Sequence, residues 1–252
     1  MNELATCIYF SLLSAIIAYG SPLGADSMQH TSGSSSSSSV DLGKVICIGD
    51  SITEASSTHP PSDGDGSWSW RYQFWKRLLD ANVSHKFVGT RTSNKNGSSS
   101  YPTYKGLSFE NRHEAIWGTT AMLRNKATSK FLETLATEGN TPDTAVVFIG
   151  GNDFGKTNSA PAVTKRVKSI IDKLQGDVGE HGNPKVRIMV ISILPRYNGK
   201  PPVNPVANNP KYEELNALVK KLVRAEKTET SEVLYLDLVE AFSKPPGLLY
   251  DG

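Results

Sequence analysis

The 252-residue chain predicts an α/β domain, a parallel sheet covered by helices on both faces. Three observations carry this. Lys44–Ile48, Thr144–Ile149, Val186–Leu194 and Val233–Leu238 are short apolar runs without polar alternation, as strands buried on both faces require. Segments with helical spacing separate them. A glycine-led polar loop follows two of the runs, Gly49-Asp50-Ser51 and Gly150-Gly151-Asn152-Asp153.

The first twenty residues read as a secretory signal peptide: Ala5–Ala18 is an apolar run too short to span a bilayer comfortably, and Ala18-Tyr19-Gly20 has the small-x-small cleavage pattern. The segment before the run is atypical, with Glu3 and no Lys or Arg. Residues 21–39 are a serine-rich linker with too little apolar surface to pack. Cys7 would leave with the leader and Cys47 would remain alone in a core strand, so no internal disulfide is expected. Asn82 and Asn96 head Asn-x-Ser triplets that can accept glycans.

The folded domain is expected over 40–252. After the first strand, Ser51-Ile52-Thr53-Glu54 matches a capping box, and on those four residues alone a helix cap is the favoured reading. An irregular insertion precedes Trp70–Asn82, whose Phe74, Leu78 and Trp75/Leu79 have helical spacing. Lys86–Gly89 reads as a second strand, and 90–108, rich in Ser, Asn, Gly and Tyr, as a long surface loop. Helices are expected within Gly118–Glu138, over Val163–Leu174, and around Tyr212, Leu215, Val219 and Leu222; a proline-rich loop precedes the last of these.

Composition excludes several functions. A formal net charge of +2 gives no basic face for nucleic acid. No dinucleotide or nucleotide-phosphate motif occurs, and no cofactor or metal is expected. Asp63-Gly64-Asp65-Gly66-Ser67 starts like a calcium loop, but Phe74 stands at the twelfth position, where Glu is needed. Trp68, Trp70 and Tyr104 are of the type that stacks on sugars, although packing is the more ordinary role for each.

The polar loops carry the chemistry. Both follow strand carboxyl ends, where an open parallel sheet binds ligands. A serine hydroxyl with an Asn amide nearby is the donor set of an oxyanion hole, although Gly-Gly-Asn-Asp is also an ordinary turn. The order of motifs resembles the SGNH, or GDSL-type, hydrolase superfamily over about residues 44–252. Gly49-Asp50-Ser51 matches its first block and Gly118, in His113–Thr120, its second. Gly150–Asp153 matches the third, and Asp251 the aspartate of the fifth. Arg71-Tyr72 and Phe87-Val88-Gly89 look most like its microbial acetylxylan esterase branch. The Gly-x-Ser-x-Gly elbow of α/β-hydrolases does not fit, because Thr53 stands where its second glycine belongs.

The resemblance implies a three-layer αβα sandwich with a flavodoxin-like sheet. It implies a secreted serine esterase acting on carboxylic esters, with acetyl groups on a small-molecule or polysaccharide carbohydrate as the expected substrate. Ser51 would be the nucleophile. Its own amide, the Gly118 N–H and the Asn152 side chain would hold the oxyanion, and Asp251 would orient a histidine base. Asp50, Trp68, His113, Trp117 and Asp153 are candidate substrate contacts. The family's histidine should lie three residues after Asp251, whereas the sequence ends at Gly252, so the domain is expected to be C-terminally truncated and nearly inactive as written. His59 and His113 are the nearest substitutes in sequence, His113 as a structural group or a substrate contact. A carbohydrate-binding pseudoenzyme and a lipid or acyl esterase of the same superfamily are the alternatives. A monomer without stable membrane insertion after leader removal is expected.

Overall fold

The computed structural model describes residues 40–55, 69–95, 101–155, 158–176, 181–194 and 210–239. The leader, the serine-rich linker, His59, Trp68, Asn96 and Asp251 lie outside the described residues. No described helix is long and apolar enough to cross a membrane.

The strands are β1 (Asp41–Gly49), β2 (Ser84–Val88), β3 (Glu114–Ala115), β4 (Thr144–Phe148), β5 (Arg187–Ile191) and β6 (Val233–Leu236). The helices are α1 (Ser51–Glu54), α2 (Trp70–Asp80), α3 (Ala121–Thr137), α4 (Ala160–Leu174) and α5 (Pro210–Glu226). The sheet runs β2-β1-β4-β5-β6, each pair parallel, and β3 extends the β2 side of β1 by pairing Ile48 with Glu114 and Gly49 with Ala115. This is the flavodoxin-like α/β architecture expected from the sequence. The chain leaves β1 to one side for β2 and returns to the other for β4, so the order reverses between β1 and β4. The crevice beyond their carboxyl ends is where such sheets bind ligands.

The apolar runs became the buried strands. All five residues of β4 are buried, and fully burying one Val or Phe side chain contributes about 1.5–3 kcal/mol. Helices α3, α4 and α5 pack side by side, and Val163, Val167, Ile170, Ile171 and Leu174 form the inner face of α4. Strand β1 begins earlier than expected. Gly43, at φ 59°, makes an irregularity in the pairing with β2, and the Asp143 carboxylate accepts the Lys44 N–H at 2.9 Å, so three more residues join.

Helix α2 is buried on more than one side, because the following loop folds over it. Phe109 lies 5.6 Å from the Tyr72 ring, 5.4 Å from Trp75 and 5.5 Å from Phe87, and Tyr101 lies 5.0 Å from Tyr72. The loop expected over 90–108 is thus pinned along its described part by aromatic packing, each such pair adding about 0.5–1.5 kcal/mol beyond burial. Asn82 closes α2 with φ 54°, a left-handed conformation that Asn tolerates, and it is exposed, as a glycan acceptor must be.

Candidate active site

The nucleophile candidate sits on a turn only glycine permits. A Cβ on Gly49 would lie 2.6 Å from the Thr53 Cβ and 2.8 Å from the Phe148 carbonyl oxygen. The missing side chain lets α1 fold tightly over the end of β1. The capping-box expectation is corrected. Asp50, not Ser51, is the N-cap, and its Oδ1 accepts the Ile52 N–H at 3.0 Å. Glu54 does not fold back onto the cap but reaches across to another segment. Ser51, half-buried, is therefore outside the capping bonds.

Asp50 also joins the two glycine-led loops. Its Oδ2 accepts from Asn152 Nδ2 at 3.1 Å, and the same amide nitrogen donates to the Thr119 carbonyl at 2.9 Å. The amide of Asn152 is thereby fixed in plane between the Ser51 turn and the segment after β3. Asp153 completes the tie. Its Oδ2 accepts the Ala121 N–H at 2.7 Å at the start of α3, and Arg166 donates to Oδ1 at 3.0 Å. Burial pushes the Asp153 carboxyl up, while the Ala121 amide and Arg166 oppose that. Three chain segments thus meet at the crevice through two carboxylates.

Gly118 lies in a turn closed by the Thr119 N–H donating to the Ile116 carbonyl at 3.2 Å. Its φ of 71° at the third turn position is the signature of a type II turn. That geometry sets which way the central peptide, carrying the Gly118 N–H, points. A Cβ here would meet open space, so glycine is required for the backbone angle and not for room.

The other candidates divide. Trp117 is exposed beside Gly118, with Lys95 Nζ 3.9 Å above its ring. His113 and Asp153 do not reach a substrate: both are buried and spent on the protein. His113 Nδ1 accepts the Ala115 N–H at 3.1 Å, which assigns the proton to Nε2, donating to the Ser93 carbonyl at 3.1 Å. Of the roles open from the sequence, His113 has the structural one. Trp70 is core, and Tyr104 donates to Asp80 Oδ1 at 2.8 Å at the far end of α2 from the Ser51 turn. Among the described histidines, His85 and His181 lie toward the amino ends of β2 and β5, so none of the three is placed as a base for Ser51.

Burial, with Arg71 nearby, depresses the His113 pKa to about 2. An unfolded histidine titrates at about 6.5, so between these values the unfolded state binds the extra proton and stability falls as pH falls. At about 1.36 kcal/mol per pH unit, about 2 kcal/mol is lost by pH 5. Burial raises the Glu114 carboxyl and so acts in the opposite sense at acid pH. Urea unfolding of the protein and of His113→Gln at pH 7 and 5 separates the two. The variant is expected to lack the roughly 2 kcal/mol difference, and equal pH slopes would refute the assignment.

Sequence reasoning used Arg71 only as part of the Arg71-Tyr72 match and missed its role: it is fully buried on α2. Its Nε donates to the Thr53 carbonyl at 2.8 Å, and its terminal nitrogens donate to the Glu54 carbonyl at 3.3 Å and Asn111 Oδ1 at 2.6 Å. It closes the C-terminus of α1. Only its helical spacing, on the side of α2 away from Lys76 and Arg77, hinted at burial. A concavity of about 380 Å³ lies at the opposite, amino end of the sheet among Asp41, Asp143, Arg187 and Glu232. Its carboxylates are already engaged: Asp41 accepts the Gly43 amide at 2.9 Å, Asp143 holds the Lys44 amide, and Glu232 pairs with Arg187 at 3.8 Å.

Comparison with known proteins gives consistent findings. The model of the GDSL-like Lipase/Acylhydrolase family matches residues 47–252. The structure of a family 3 carbohydrate esterase from Clostridium thermocellum is similar over 79% of this chain and 79% of its own, with TM-score 0.55 and 23% identity. AlinE4, an SGNH-hydrolase family esterase, is similar over 86% of both chains at TM-score 0.49 and 15% identity. A lipase/acylhydrolase from Enterococcus faecalis is similar over 82% of this chain and 81% of its own, at TM-score 0.48 and 17% identity. No curated protein gives a significant match. The family match spans the Ser51, Gly118 and Asn152 segments that converge on the crevice, and the chain belongs to the GDSL-like lipase/acylhydrolase family.

Proposed function

We propose that the protein hydrolyses small carboxylic esters, acetyl groups on carbohydrate foremost, with Ser51 as nucleophile. One observation carries the reading: the Asn152 amide is held between Asp50 Oδ2 and the Thr119 carbonyl, next to the Ser51 turn and the Gly118 turn. In the reaction Ser51 Oγ attacks the ester carbonyl and its proton passes to a histidine base other than His85, His113 and His181. The tetrahedral oxyanion takes hydrogen bonds from the Ser51 amide, the Gly118 N–H and Asn152 Nδ2, the last shared with its resting partners. Each such donor is worth about 2.7–4 kcal/mol of barrier. The alcohol leaves with a proton, and water releases the acyl group by the reverse path.

The Arg71-Tyr72 and Phe87–Gly89 matches support the acetyl reading by resemblance only. Arg71, Tyr72 and Phe87 are buried, so they shape the scaffold and not the substrate contact. A second reading, an ester with a longer acyl chain, is favoured by the exposed apolar side chains Ile52, Trp117, Met122 and Leu123, all on the segments around Ser51. The full-length protein assayed on p-nitrophenyl acetate, p-nitrophenyl octanoate and acetylated xylo-oligosaccharides decides. Acetate is expected to exceed octanoate in kcat/KM by about tenfold or more, with acetate released from the sugar. Preference for octanoate, with no acetate released, would select the longer-chain reading instead.

A further inference from the structure

Glu54 stands at the end of α1, three residues after Ser51, and is almost fully buried. Its two carboxylate oxygens serve different segments. Oε1 accepts from Arg91 at 3.0 Å, and Oε2 accepts the backbone N–H of Trp117. Arg91 is itself held, exchanging backbone hydrogen bonds with His113 at 3.2 and 3.0 Å. The Trp117 amide precedes by one peptide the Gly118 N–H. On the other flank of that turn Thr119 is held by Asn152, and at the turn's first residue Ile116 donates to the Gly49 carbonyl at 3.2 Å.

We propose that Glu54 is a positioning residue that grips the Trp117–Gly118 turn from the nucleophile's own helix, so that the Gly118 N–H and Ser51 are aimed as one unit. The inference rests on the reading of Ser51 as nucleophile and Gly118 as oxyanion donor. A type II turn converts to type I by flipping its central peptide, which would carry the Gly118 N–H to the opposite side. The positive φ at Gly118 permits the present orientation but does not hold it there. A flip turns only ψ of Trp117 and φ of Gly118 and leaves the Trp117 N–H in place, so the carboxylate acts on the position of the turn: it ties the start of the turn to α1, and a turn that drifts from α1 carries the Gly118 N–H out of register with Ser51. Arg91 fixes the carboxylate in turn. A neutral side chain at 54 would lose the ion pair and turn an amide N–H toward Arg91 or Trp117, both of them donors.

The test uses the full-length protein on p-nitrophenyl acetate, with Ser51→Ala as reference. Glu54→Gln is expected to lower kcat by about 10- to 100-fold with KM changed less than about twofold, the pattern of an interaction made in the transition state. Arg91→Lys, at a half-exposed position, is the variant for the case in which Glu54→Gln fails to fold. It should show the same split at about 3- to 10-fold. Glu54→Gln combined with Gly118→Ala should be little worse than the poorer single variant, because both act through one N–H. A second reading needs no turnover: the Gly118 amide resonance should move in both the Glu54 and Arg91 variants. An unmoved Gly118 resonance with unchanged kcat, or fully additive losses, would overturn the proposal while Ser51→Ala still abolishes activity. Activity surviving Ser51→Ala would instead remove the underlying reading.

Discussion

Replacing Ser51 with alanine in the full-length protein is expected to reduce kcat/KM on an activated ester by on the order of 10⁴-fold or more. The residual rate would come from binding and oxyanion donors, which remain when a nucleophile is deleted. The fold should be untouched, because Asp50 and not Ser51 caps α1 and the Ser51 side chain carries no capping bond. Stability within about 0.5 kcal/mol of the parent is therefore expected alongside the loss of activity. Parallel urea unfolding and ester hydrolysis check both. Retained hydrolysis would place the nucleophile elsewhere, and a large stability loss would show that Ser51 is a structural cap after all.

Arg71→Met is expected to act in the opposite way, costing about 3–5 kcal/mol of stability. The guanidinium is fully buried and supplies the donors for the carbonyls of Thr53 and Glu54 and for Asn111 Oδ1. Burial pulls its pKa below the ordinary arginine value, and the nearby Glu54 carboxylate is among the groups that oppose this. Methionine fills much of the volume but removes the guanidinium from three acceptors, the Thr53 carbonyl keeping only the Ser69 hydroxyl at 3.4 Å, and leaves Glu54 with less compensating charge. Lysine carries the charge but not the fork, so Arg71→Lys should recover less than half of the loss. Urea midpoints for the two variants test this. A loss below about 1 kcal/mol in Arg71→Met would mean that water takes over the guanidinium's role.

The central strands and the two glycine-led loops were legible because their signals are local. An apolar run of five or six residues has few alternatives, and Gly49 and Gly150 mark where each of two runs stops. The capping box at Ser51–Glu54 misled for the same reason. Its pattern is local, while the partner that claims Glu54 is Trp117, 63 positions away. Strand β3 escaped notice because two residues carry no periodicity; it exists where β1 continues past the end of β2. His113 could be read as structural or substrate-facing until its two nitrogens were seen bonded to Ala115 and Ser93. The burial of Arg71 was hidden because a charged residue on a helix reads as surface until a helix end needing donors, here that of α1, is found beneath it.

Cys47 sits on β1 four residues before Ser51, fully buried, and burial pushes its thiol up to about 12. A thiol so placed stays protonated and out of reach of reagents while β1 is in the sheet. Its modification, followed on the peptide that carries Cys47, therefore becomes a stopwatch for departure of the central strand. Because β1 lies between β2 and β4, that departure takes the sheet apart, and the labelling rate measures global opening without a denaturant or an introduced probe.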